Sequence, residues 1–220
     1  MIPFYFIFYF IALVVSIITF KKYFDTPLRF FPLLIAYTLF NELLGYFIIT
    51  YEDFSFFDSP EYQWHNVIIY NIYNLFFYGY LLWVYYKLLK QRRQQDLIRI
   101  FAVILLLAYG VSLFFQDPFH SGLYFADCLA SVLILVLIGL HFKQLYNSSG
   151  NQPRKRNHMV WFGLGMMLFN FYYPFYILNG YHNVEFFLKF QLRQILWVII
   201  AIMYSLFTIG FLFGKRNYFK

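Results

Sequence analysis

Apolar runs of 17 to 21 residues recur along the whole chain, and short polar stretches between them carry nearly all the charge. A helix of about 20 residues rises roughly 30 Å, enough to cross the hydrocarbon core of a bilayer. Seven such runs can be drawn, over residues 2–20, 31–50, 66–86, 99–115, 122–142, 159–179 and 194–214. The fourth is the shortest and can borrow Leu97 and Ile98. Residues 184–188 are amphipathic and read as an interfacial lead-in to the seventh. The pattern predicts an all-α polytopic membrane protein, one domain over residues 1–220 with seven transmembrane helices. The first run has no basic segment before it, and Lys21-Lys22 follows it, as expected of a retained signal-anchor rather than a cleaved signal peptide.

Composition agrees with the pattern. The chain is 62% hydrophobic, 26% aromatic and only 12% charged, against about 25% charged in a typical soluble domain. Of 17 Lys and Arg, 15 fall in the first, third and fifth connections and the C-terminal tail; Lys189 and Arg193 are the other two. The positive-inside rule then puts the N-terminus outside and the C-terminus in the cytoplasm of a bacterial inner membrane. The opposite loops are acidic, with Glu52, Asp53, Asp58 and Glu61 in one, Asp117 in the next and Glu185 in the last. The net charge of +7 is thus a topology determinant and a contact for anionic headgroups. Nucleic acid is not an expected partner, because the basic loops are short and hold no reading module. Residues 147–153 read as a flexible linker, Trp64, Trp83, Trp161 and Trp197 as interfacial anchors, and the single Cys128 excludes an intramolecular disulfide.

Within the runs, polar groups gather at one depth. Counted inward from the outer ends, Asn71 and Asn74 lie roughly 8–12 Å down, Glu42 about 12 Å and Asn41 about 13 Å. Asp127 and Tyr109 sit about 9 Å deep and Asn170 near 13 Å, with Tyr173 in the same slab. Asn71, Asn74 and Tyr78 share one helical face; Thr38 and Glu42 share another, as do Asp127 and Ser131. An amide facing lipid has no water to bond, so these faces should turn toward one another or toward a wet hollow. For the asparagines the plainer alternative is an interhelical bond of about 0.6–2 kcal/mol. A membrane-buried carboxylate costs about 2.5 kcal/mol or more, so Glu42 must be held neutral or paired, with Arg193 the candidate partner. Pro174 invites a kink beside the stripe that includes Asn170 and Tyr173.

Catalytic patterns are missing: there is no His-Glu-x-x-His, no Gly-x-Ser-x-Gly and no Gly-rich phosphate loop, and no enzyme activity or cofactor is expected. His65, His120 and His182 could converge with Asp117 or Glu61 on a metal, but without fixed spacing they read as ordinary loop histidines and no metal site is expected. The last run holds no lysine for a retinal Schiff base.

The phrase from Asn157 to Gly165, running on to Phe171-Tyr172-Tyr173-Pro174-Phe175, together with Asn41-Glu42-Leu43 and Ile72-Tyr73-Asn74, resembles an uncharacterised group of short seven-helix inner-membrane proteins from Bacteroidota-type bacteria. Members are often encoded beside two-component signalling genes, so the resemblance implies a sensory or accessory role. The expectation is a receptor that takes a small polar or amphipathic ligand on Asn41, Glu42, Asn71, Asn74, Tyr78, Tyr109, Asp127, Asn170, Tyr173 and Arg193. A signalling partner, cytoplasmic or within the membrane, would dock at the basic loops, chiefly over residues 87–99. The alternative is a small transporter or channel with Glu42 as its proton or cation site.

Overall fold

The computed structural model describes residues 3–51, 54, 67–147 and 156–215. Glu52, Asp53, Asp58, Glu61, Trp64, His65, most of the linker at 148–153, and the basic residues Arg154, Lys155, Arg216 and Lys220 lie outside the described residues. Eight α-helices are described: α1 Phe6–Ile18, α2 Phe31–Thr50, α3 Val67–Leu88, α4 Arg92–Ser112, α5 Tyr124–Asn147, α6 His158–His182, α7 Val184–Lys189 and α8 Leu192–Phe213. No strand occurs among the described residues.

Local signals account for several boundaries. The Asn157 side chain accepts from Met159 N at 2.9 Å to cap α6, and Asn183 accepts from Phe186 N at 3.2 Å to cap α7. A 3-10 turn, Pro27–Phe30, leads into α2 with Thr26 as its cap. Gln191 adopts the left-handed conformation (φ 51°), the one non-glycine residue to do so among those described, and turns the chain from α7 into α8.

Five helical stretches are long and apolar enough to cross a membrane: Pro27–Thr50, Val67–Leu88, Arg92–Ser112, Tyr124–Asn147 and Leu192–Phe213. Helix α1 is apolar but only 13 residues long. In α6, 25 residues long, Asn170, Tyr172, Tyr173, Pro174 and Tyr176 dilute the hydropathy, yet the helix continues through Pro174. Much of the exposed surface is apolar, with Phe114, Phe115, Phe171 and Ile18 all at least three-quarters exposed. A surface of that kind is tolerated beside lipid and invites aggregation in water.

Boundaries depart from expectation at α1, which spans 6–18 rather than 2–20, at α5, which runs to Asn147 rather than to 142, and most of all at α4. Helix α4 begins at Arg92, seven residues before the expected start at 99, because the charged turns Arg92–Asp96 continue the helix beyond its apolar part. The anticipated basic loop over 87–99 is therefore only the three-residue link 89–91. Arg99 does not hang free: it donates to Asp96 Oδ1 at 2.9 Å and to the Tyr86 hydroxyl at 2.8 Å.

Helices α1, α2, α3, α5, α6 and α8 follow one another in contact around a ring that closes where α8 meets α1; α4 stands outside against α3 and α5. The α6–α8 seam is the most extensive in the ring. A Cβ on Gly165 would sit 3.0 Å from the Phe207 ring and 3.1 Å from Met203, so a larger residue there requires these neighbours to shift.

Candidate functional site

The ring is filled differently at its two ends. At the end carrying Lys22, Arg29 and Lys215, interlocked aromatic rings close it. Phe31 lies 4.6 Å from Phe162 and 5.2 Å from Phe207, Phe162 lies 5.0 Å from both Phe207 and Phe211, and Tyr23 lies 5.1 Å from Phe211. These tilted and edge-on ring contacts pack that end with apolar surface.

At the other end the rings draw apart around a cavity of about 570 Å³. All six ring helices contribute to its wall, from Thr50 and Arg193 near the mouth to Thr38, Met203 and Tyr204 at the floor. From Thr50 to Thr38 along α2 is roughly 18 Å of depth. Tyr9 and Tyr204 meet edge-on at 4.3 Å across the floor, and Tyr204 lies 5.2 Å from Phe207 of the plug beneath.

Two carboxylates reach this cavity. Glu42 of α2 is half-buried, and its Oε2 accepts from the Tyr5 hydroxyl at 3.0 Å. Asp127, in the first turn of α5, is fully buried. Its Oδ2 accepts from Asn74 Nδ2 at 2.8 Å and its Oδ1 from the Tyr109 hydroxyl at 2.6 Å. Both Asp127 oxygens are thus met by donors, the arrangement an ionised carboxylate requires. Tyr173 stands beside the Asp127–Asn74 pair.

Seven of the ten expected site residues line the cavity: Glu42, Asn71, Asn74, Tyr78, Asp127, Tyr173 and Arg193. Their roles differ. Asn71 ties down the link between α4 and α5, donating to Pro118 O at 2.8 Å and Ser121 O at 3.1 Å and accepting from Leu123 N at 3.0 Å. Tyr78 pairs with Ser131 Oγ at 3.0 Å. Three expected residues are not in the wall. Tyr109 reaches Asp127 from behind, on α4. Asn41 is buried away from the cavity with its Nδ2 unpartnered. Asn170 donates to Met166 O of its own helix at 2.8 Å, since a buried amide after a helical turn finds that carbonyl nearest.

The expected Glu42–Arg193 pair does not form: the ion pairs among the described residues are Arg99–Asp96 and His120–Asp117. Arg193 is exposed and approaches Tyr176 instead. No group of three or more His, Cys, Asp or Glu that could hold a metal ion occurs among the described residues; His120 is engaged by Asp117 and His182 packs on Tyr124.

Sequence reasoning missed how much of the wall is tyrosine. Ten tyrosines line it, including Tyr5, Tyr9, Tyr70, Tyr73 and Tyr176, with Trp197 alongside. Thr38 bonds Tyr73 at 2.8 Å. The readable signal was spacing: Tyr70, Tyr73 and Asn74 on α3, and Tyr173 and Tyr176 on α6, recur at helical intervals with the amides. The site offers acceptors, phenol donors and aromatic faces. No family model, no curated protein and no solved structure matches this chain.

Proposed function

We propose that this is a seven-span inner-membrane receptor, or the ligand-sensing accessory of one, with its N-terminus outside and its cavity open to that side. The membrane-crossing set would be the five apolar stretches together with α1 and α6, which complete the ring. The basic residues Lys21, Lys22, Arg29, Lys87, Lys90, Arg92 and Arg93, at the plugged end, support that orientation. One observation carries the reading: a cavity with two carboxylates and ten tyrosines at one end of a helical ring whose other end is packed shut. A blind pocket binds. A pore would need a polar route past Phe31, Phe162 and Phe207, which is why transport ranks second.

Binding would act on the ring by favouring one packing of helices that meet at the floor, where Tyr9, Thr38, Tyr73 and Tyr204 from four helices converge. Output would pass to a partner at the short basic links and the first turns of α4. The test is to compare ligand-induced stabilisation with flux. Compounds that raise the unfolding temperature of the nanodisc-embedded protein should not be accumulated by proteoliposomes under an ion or proton gradient. Uptake that disappears in Glu42→Gln would assign the protein to transport.

A further inference from the structure

We infer that the cavity takes a small organic ammonium ion, its charge set against the Glu42 carboxylate and its substituents against the surrounding tyrosine rings. The inference rests on the pocket reading above and narrows it to one class of ligand.

The charge inventory comes first. Among the described residues the wall holds Glu42, Asp127 and Arg193, two acids against one base, and no lysine or histidine. Arg193 does not compensate Glu42, and no other cation does so among the described residues. An anionic guest would face two carboxylates in a weakly screened hollow.

The two acids are not equivalent. Asp127 is held by a donor on each oxygen and is a fixed part of the wall. Glu42 receives one bond, on Oε2, and its second oxygen is left for a guest. A carboxylate at this depth, half-satisfied and without a counter-charge, is a site that a cation completes.

The aromatic surroundings select the kind of cation. Tyr5, Tyr9, Tyr70, Tyr73, Tyr176 and Tyr204, from four helices and the segment preceding α1, line the same cavity as Glu42 and lie within its electrostatic reach. Trp197 packs on Tyr5 at 5.8 Å. The π-faces of such rings attract a diffuse, weakly hydrated cation, as in aromatic cages for quaternary ammonium. A hard metal ion would want several oxygens in its first sphere and would gain nothing from the rings. The volume of about 570 Å³ suits a small organic guest rather than a bare ion.

The test uses three probes of one shape: choline, its neutral isostere 3,3-dimethyl-1-butanol, and the anion 3,3-dimethylbutanoate. Binding is measured by calorimetry on the full chain in maltoside micelles or phosphatidylglycerol nanodiscs, with choline lipids excluded because they would compete. Choline should bind about tenfold or more tightly than the alcohol, with the anion weakest. Glu42→Gln, whose amide oxygen can still accept from Tyr5, should erase choline's advantage, whereas Tyr5→Phe should keep it. An alcohol that binds as well as choline, or a preference that survives Glu42→Gln, overturns the ammonium inference and leaves the pocket reading standing. Failure of all three probes to bind folded protein likewise overturns the ammonium inference, while the pocket reading stands or falls on the stabilisation and flux comparison above. Should Glu42→Gln not fold, the comparison of isosteres on the unaltered chain decides by itself.

Discussion

The Tyr109 hydroxyl donates to Oδ1 of Asp127 at 2.6 Å, from a helix outside the ring to an acid in its wall. This bond makes α4 a strut rather than a bystander, because it joins the least buried of the five membrane-length stretches to the most buried acid among the described residues. Tyr109→Phe keeps the ring and removes the donor. It should lower unfolding stability by about 1.5–3 kcal/mol, the usual range for a hydrogen bond to a charged group. Denaturation by SDS titration in mixed micelles reads the loss. A double mutant with Asp127→Asn should be clearly non-additive, as expected of partners in one bond.

Asn71 makes three bonds to the link between α4 and α5, at Pro118, Ser121 and Leu123. Asn71→Ala should therefore loosen that link while leaving the ring assembled. Amide exchange should rise over residues 119–123 with little change in α8, at a stability cost of about 1–3 kcal/mol. Unchanged exchange at Leu123 would count against this role.

Two glycines give a matched pair. A methyl on Gly165 would press on Phe207 and Met203, whereas one on Gly79 meets nothing within 4 Å. Gly165→Ala should destabilise by about 1–3 kcal/mol through forced separation of α6 and α8. Gly79→Ala should be neutral or stabilising by up to about 1 kcal/mol, because alanine is the better helix former. Equal effects at both positions would refute the close seam.

Hydropathy located helices well where their ends coincide with the end of apolar sequence: α2 spans 31–50 as expected, and the lead-in at 184–188 is α7. It failed at α4, since Arg92, Arg93 and Asp96 extend a helix past the apolar stretch and a hydropathy window reads charge as loop. Depth counting picked out Glu42, Asn74 and Asp127 because charged and amide groups are rare in such runs. It could not separate Asn170 from them, because whether an amide faces a neighbour or its own helix depends on tertiary placement. The tyrosines were illegible for a different reason. With 22 in the chain, no single one stands out, and only the closure of the ring assigns ten of them to a single wall.

Orientation can be read by labelling. In a Cys128→Ser background, Lys189→Cys should react with an impermeant maleimide applied to the outer face of intact cells or spheroplasts. Lys90→Cys should react only after permeabilisation. The reverse pattern would invert the proposed topology and place the cavity mouth in the cytoplasm.

A blind cavity above an aromatic plug is the claim on which the rest depends, and stepwise cysteine accessibility tests it most directly. In the Cys128→Ser background, Thr38→Cys sits at the floor of the cavity and Phe207→Cys in the plug just below. A water-soluble trimethylammonioethyl methanethiosulfonate applied from the N-terminal side should modify Thr38→Cys rapidly and leave Phe207→Cys intact on the same timescale. A Thr38→Cys that stays as inert as Phe207→Cys, or a Phe207→Cys that reacts as fast as Thr38→Cys, would contradict it.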